Sequence, residues 1–256
     1  MRFGCCCSIE QAEIAHAAGF DYVECTVVSL LPEANEVMFA PVLEKNRAAP
    51  LPVRACNVFL PGDLKVVGPA VDRLRVESYV RTALRRVRLI GADVVVFGSG
   101  KARMVPDDFA RSDAETQLVN FLHFVADVAG THGITVVIEP LNRKESNILN
   151  SVAEAVTLAQ RVNRPSIRVL ADFYHMDEEQ EPLRHLVEYK DWLAHIHVAD
   201  SGRRAPGTGT YPYAEFVDLL RQANYDGMVS IECRWDDFAA EAEPARRFLQ
   251  QVFGRA

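Results

Sequence analysis

Eight short apolar, β-branched runs alternate with helix-like stretches along this chain, and that alternation restricts the fold more than any other feature. The runs are RFGCCC (2–7), FDYVECT (20–26), PVRACNVF (52–59), ADVVVFG (92–98), ITVVIE (134–139), IRVLAD (167–172), LAHIHV (193–198) and MVSIEC (228–233). Between them, VESYVRTALRRVRLI (76–90), DAETQLVNFLHFVADVAGTH (113–132) and YAEFVDLLRQA (213–223) carry apolar residues at helical spacing. Glycine-bearing stops close helices before the next run: AGF (18–20), IGA (90–92), HGI (132–134) and YDG (225–227). Eight strand–helix units in series predict an α/β protein, a (β/α)8 TIM barrel read as one domain over 1–256. An open doubly wound sheet is the structural alternative, but its glycine fingerprint is missing, since GSG (98–100) runs into KARM.

A length of 256 residues with 49% hydrophobic and 25% charged residues suits one barrel with a full core. A net charge of −7 argues against nucleic acid as the partner, because phosphate backbones select basic surfaces. No apolar run approaches the roughly 20 residues of a membrane span. The opening MRFGCCCSIE has no long apolar core and an early Glu, so it does not read as a signal peptide. The expectation is a cytoplasmic protein with no membrane partner. Three adjacent cysteines, Cys5, Cys6 and Cys7, cannot supply a C-x-x-C pair, and they read, with Cys25, Cys56 and Cys233, as small buried hydrophobes.

In TIM barrels the active site lies at the C-terminal ends of the strands. The last four runs each finish with a potential metal ligand: Glu139, Asp172, His197 and Glu232, separated by 33, 25 and 35 residues. A single acid at a strand end is more often a helix cap; four at the same end point to one shared site. Three carboxylates and an imidazole suit Mn²⁺ first, with Mg²⁺ or Co²⁺ as alternatives, rather than a structural zinc. In HIHVAD (195–200), His195 and His197 face the same way along a strand. His197, nearer the strand end, is the expected ligand, and His195 a hydrogen-bonded histidine of the barrel interior.

IEPLNRKESN (138–147), ADFYHMDEE (171–179), HIHVADSGRRAPGTG (195–209) and SIEC (230–233) resemble the xylose-isomerase-like TIM-barrel superfamily. Within it the chain is most similar to ketose 3-epimerases of the D-tagatose and D-psicose type, with features of hydroxypyruvate isomerase. ECRW (232–235) is nearer the latter, and CCCS (5–8) lacks the aromatic wall of the epimerases. The resemblance implies metal ligation by Glu139, Asp172, His197 and Glu232, and substrate contacts by Glu145, His175 and Arg203. It also implies a homodimer or homotetramer acting on a small sugar or sugar acid.

A 2-ketose held at the metal through O2 and O3 would lose a proton beside its carbonyl to give a cis-enediolate. Glu139 and Glu232, on opposite faces, would remove and return it. Inversion at C3 gives epimerisation; return at a neighbouring carbon gives aldose–ketose isomerisation of a hydroxypyruvate- or inosose-like substrate. A metal-dependent phosphodiesterase on the same barrel would want a basic face and more histidine ligands. A non-catalytic sugar-binding barrel would need no opposed glutamates. Two long loops, 57–69 and 97–109, fall on the catalytic side, and Asn57, Arg103 and Glu24 are further candidates to line the pocket. Arg204 reads as a solvated loop charge, and PGTG (206–209) as a tight turn rather than a phosphate loop.

Overall fold

A computed structural model describes residues 1–254; residues 255 and 256 of the expected domain lie outside the described residues. Eight parallel strands close into a barrel in sequence order. They are β1 (Arg2–Cys6), β2 (Tyr22–Thr26), β3 (Val53–Asn57), β4 (Val94–Phe97), β5 (Thr135–Ile138), β6 (Ile167–Asp172), β7 (Leu193–Val198) and β8 (Met228–Ile231). Around them run α1 (Ala12–Ala17), α2 (Glu36–Ala48), α3 (Arg73–Leu89), α4 (Gly100–Arg103), α5 (Arg111–His132), α6 (Val152–Val162), α7 (Phe173–Glu178), α8 (His185–Glu188), α9 (Tyr213–Gln222) and α10 (Phe238–Gly254). No helix among the described residues is long and apolar enough to cross a membrane.

The strands are buried on both faces, which is why their sequences are continuous apolar runs rather than alternating ones. Their outer faces pack on the helices through residues such as Val23, Val95, Val136 and Val229. Their inner faces fill the barrel with Tyr22, Ala55, Val94, Val96, Val137, Leu170 and Met228. Tyr22 crosses the interior over Gly4, where a Cβ would lie 2.3 Å from its ring. So a large side chain on one strand requires none on its neighbour.

Helix boundaries follow local chemistry. Asn35, Asp72 and Ser151 accept backbone N–H bonds at the starts of α2, α3 and α6. Gly91 (φ 93°) and Gly133 (φ 64°) take the left-handed turns that end α3 and α5. The fourth expected stop differs: after α9 the left-handed residue is Asn224 (φ 53°), three residues before Gly227. Asparagine tolerates that region because its short amide bonds locally.

The 57–69 and 97–109 loops are joined at the catalytic end. Leu60 N–H donates to Ser99 Oγ (2.9 Å), Val66 N–H to the Ala102 carbonyl (3.0 Å), and Lys65 Nζ to the Lys101 carbonyl (2.8 Å). The second loop is not wholly irregular, since it contains α4.

Candidate metal centre

Alternation places every second residue of a strand inside the barrel, and at the C-terminal ends those residues turn polar. Glu139 follows β5, Asp172 ends β6, His197 lies in β7 and Glu232 follows β8. Asp172 pairs in register with His197, and His197 with Ser230. One donor atom from each of Glu139, Asp172, His197 and Glu232 lies within 4.8 Å of all the others. His197 Nδ1 is 3.2 Å from Glu139 Oε1 and 3.5 Å from Glu232 Oε2.

The set fits a cation. Asp172 Oδ2 and His175 Nε2 are buried without hydrogen-bond partners, and they face each other at 3.7 Å, too far to satisfy one another. Burial, then Glu139 and Glu232, push the Asp172 carboxyl up to about 7. Burial and Glu232 raise Glu139 as well. Burial also works against ionised Glu232, yet His197 and Arg203 hold that carboxyl below its ordinary range. The His197 imidazolium is opposed by burial, but Glu24, Glu232 and Glu139 outweigh it and raise this group well above its usual range. The buried carboxylates therefore call for positive charge, which bound protons or a dication would supply.

Beneath His197 stands Glu24. His195 Nε2 meets Glu24 Oε2 at 2.8 Å, His197 Nε2 meets Oε1 at 3.0 Å, and Ser230 Oγ donates to Oε2 at 2.6 Å. Ser230 in turn meets the Tyr22 hydroxyl at 2.8 Å. An ionised carboxylate only accepts, so both imidazoles present Nε2–H to it. That leaves the Nδ1 lone pair of His197 for the cluster. This is the carboxylate–histidine arrangement that orients metal-ligating imidazoles. It also accounts for two histidines on one strand face: His195 is the expected interior histidine, and both rings are held by one buried acid from the far side of the barrel.

The other site candidates also converge here. The Asn142 backbone N–H donates to His175 Nδ1 (3.1 Å), so the His175 ring proton sits on Nε2, facing the cluster. Burial and Arg203 lower His175 to about 3, leaving it neutral. Asn142 Nδ2 also donates to Glu145 Oε1 (3.2 Å). Arg203 donates to both Glu145 oxygens (3.1 and 3.3 Å) and to Glu232 Oε2 (2.6 Å), and its guanidinium lies 5.0 Å over the Tyr174 ring. The backbone of Arg203 is left-handed (φ 59°) within a turn closed by the Asp200 and Arg204 backbones. Buried Asp200 accepts from the N–H groups of Ser201, Gly207 and Tyr211, so PGTG is the tight turn expected. Arg204 is exposed, as a solvated loop charge should be.

Arg103 does not line the pocket. It is fully buried and donates to the carbonyls of Phe97 (2.8 Å) and Glu139 (2.7 Å), tying the ends of β4 and β5 together. A loop arginine looks solvated in sequence, and backbone acceptors leave no side-chain signature. Gly98 and Asn142 escaped the sequence reading. A Cβ on Gly98 would lie 1.8 Å from Glu139 Oε2, so only glycine admits this carboxylate. Asn142 sits inside the IEPLNRKESN motif, where its position between Glu139 and Glu145 was the available signal. Cys5, Cys25 and Cys56 are buried as expected, whereas Cys6, Cys7 and Cys233 are only half-buried, and Cys6 and Cys7 border a cavity at the barrel mouth.

A cavity of about 250 Å³ lies over the cluster, lined by Asn57, Gly98, Glu139, Glu145, Arg203 and Glu232. A larger groove of about 430 Å³, between α3 and α5 beside Phe121 and Phe124, lies away from these groups.

A family model described as xylose isomerase-like TIM barrel matches residues 12–252. The chain belongs to that family. Among xylose isomerase-like proteins, an L-ribulose 3-epimerase of Methylomonas sp. (strain DH-1) is 31% identical over 223 residues, covering 85% of this chain and 75% of the relative. A 3-dehydro-D-guloside 4-epimerase of Escherichia coli (strain K12) is 33% identical over 150 residues, 56% of this chain and 57% of the relative. The match therefore spans little more than half of that relative's length. A D-psicose 3-epimerase crystal structure obtained in the presence of D-fructose superposes with a TM-score of 0.87 at 21% identity, covering both chains completely, and shows the fold.

Proposed function

We propose that this protein is a divalent-metal-dependent isomerase of keto sugars, most specifically a ketose 3-epimerase. The observation that carries the reading is the pair Glu139 and Glu232. They reach the His197 Nδ1 from separate strands, at 3.2 and 3.5 Å, within a set that fits a cation. Relatives that epimerise keto sugars at neighbouring carbons support it.

Glu139, Asp172, His197 and Glu232 would hold the ion, with Mn²⁺ expected ahead of Mg²⁺ and Co²⁺. When bound, the ion would supply polarisation of the substrate carbonyl and neutralise the charge that develops on its oxygen. Glu232, which accepts from Arg203 at 2.6 Å, takes the proton from the carbon beside the carbonyl. Glu139, across the site, returns a proton to the opposite face, and exchange with solvent then restores both carboxyls. The reverse reaction exchanges these roles. His175 donates its Nε2–H to a substrate oxygen, and Arg203 and Glu145 fix the adjoining hydroxyls. The same reading includes a homodimer or homotetramer, which light scattering on the purified protein tests.

The deciding experiment is incubation of the Mn²⁺-loaded protein in D₂O with a panel of ketoses, followed by NMR. Loss of the C3 proton with appearance of the C3 epimer is the expected result. An aldehyde product would assign aldose–ketose isomerisation instead. No exchange with any keto sugar, indistinguishable from Glu139→Gln, would overturn the proton-transfer reading.

A further inference from the structure

The mouth of the barrel holds a second cavity. It measures about 370 Å³ and opens between the ends of β1 and β2, bordered by Cys6, Cys7, Thr26, Ser29 and Asn46. Asn57 lines both this cavity and the one over the metal cluster. Asn57 is 6% exposed; its Nδ2 donates to Glu232 Oε1 (2.8 Å), while its Oδ1 is buried with no hydrogen-bond partner. A buried amide oxygen of this kind is normally satisfied. Asn57 Oδ1 is thus available to accept from a hydroxyl that enters the cavities.

The walls describe that occupant. The cavity is bordered by thiols, hydroxyls and the amides of Asn46 and Asn57, which offer hydrogen bonds, and by apolar Ile9 and Val42, which suit the face of a sugar ring. Its charged pair, Lys45 and Glu10, is bonded to itself at the rim. Glu24 has both oxygens occupied by His195, His197 and Ser230. No unopposed cation awaits an anion among these groups, so a neutral, hydroxyl-rich group fits best. The cavity over the cluster, at about 250 Å³, is smaller than the roughly 300 Å³ at which pockets for larger ligands begin. It suits the reacting sugar, and the second cavity has room for an attached ring.

We propose that the cavity between β1 and β2 is a subsite for a neutral glycosyl substituent, so that the preferred substrate is a keto sugar extended beyond its reacting ring. Asn57 stands at the seam. Its Oδ1 accepts a substrate hydroxyl, and its Nδ2 keeps Glu232 in place. This inference rests on the keto-sugar reading above, and the test separates the two.

D-fructose and its 4-O- and 6-O-glucosylated forms are compared as substrates of the Mn²⁺-loaded protein and of Ser29→Trp, which fills the cavity from an exposed position. Lys45→Trp, on the exposed face of α2, does the same should Ser29→Trp fold poorly. Isomalt, a reduced disaccharide with no carbonyl, reports binding alone by saturation-transfer NMR. The wild type is expected to favour a glucosylated ketose about tenfold in kcat/KM, because remote binding energy is used at the reacting carbon. The tryptophan variant should abolish that preference and the isomalt signal, while D-fructose turnover changes less than about twofold. Equal turnover of free and glucosylated ketoses, with no effect of either tryptophan, would overturn the subsite and leave the epimerase reading intact. Isomalt binding that tryptophan abolishes, without exchange in any ketose, would keep the subsite and overturn the chemistry.

Discussion

The two halves of the barrel rim do different work. The β5–β8 half supplies every member of the Glu139, Asp172, His197 and Glu232 cluster, together with Glu145, His175 and Arg203. The β1–β4 half supplies no member of it. It contributes Glu24, which holds His197; Asn57, which holds Glu232; and Gly98, which makes room for Glu139. The groups proposed to react and the groups that hold them thus stand on opposite sides. The comparison teaches that a residue's distance from the chemistry along the chain says little about its influence on it.

That division can be broken directly. Glu139→Gln and Glu232→Gln on the reactive side should each lower solvent-proton exchange by about 10²–10⁴-fold with the fold intact. Single-turnover NMR in D₂O measures it, and a residual rate within a few-fold of wild type would remove either residue from the proton path. On the supporting side, Gly98→Ala puts a methyl where Glu139 Oε2 lies. A carboxylate displaced by about 1 Å is expected to cost about 10²-fold in kcat. If kcat is unchanged, the half-barrel contrast loses its clearest case.

Glu24→Gln keeps size but withdraws the charge that both imidazoles face. Its expected effect is a 10–100-fold weaker Mn²⁺ affinity by titration calorimetry, accompanied by a normal circular dichroism spectrum. Unaltered affinity would reduce Glu24 to packing. The smallest effect sharpens the electrostatic side of the comparison. Asp172, raised to about 7 by burial, Glu139 and Glu232, binds a proton that the cation must displace, and His197, held up by Glu24, Glu232 and Glu139, binds another. Metal affinity should therefore rise with pH, by about tenfold from pH 6 to 8 for the Asp172 proton alone, with proton release seen as buffer-dependent enthalpy. A flat profile would show that the cluster does not compete with protons.

The same division explains what sequence could reveal. The barrel was legible because eight apolar runs, each buried on both faces, stand out against amphipathic helices. The β5–β8 residues were legible because a polar residue closes an apolar run in each of four successive units. Glu24 and Asn57 interrupt their runs in the same way, but they act on partners 171 and 175 residues distant, so nothing local tells what each one holds. Arg103 was misread for a related reason. Its acceptors are the Phe97 and Glu139 carbonyls, and every residue carries a carbonyl. His195 could be placed inside the barrel from strand alternation alone, while its partner could not.

The column from Tyr22 through Ser230 and Glu24 to the two histidines stands inside the barrel, below the loops. Residues of the loops after β3 and β4 other than Asn57, Gly98 and Arg103 can therefore vary without touching the groups that hold Glu139 and Glu232. Diversification of substrate and preservation of chemistry are separable here.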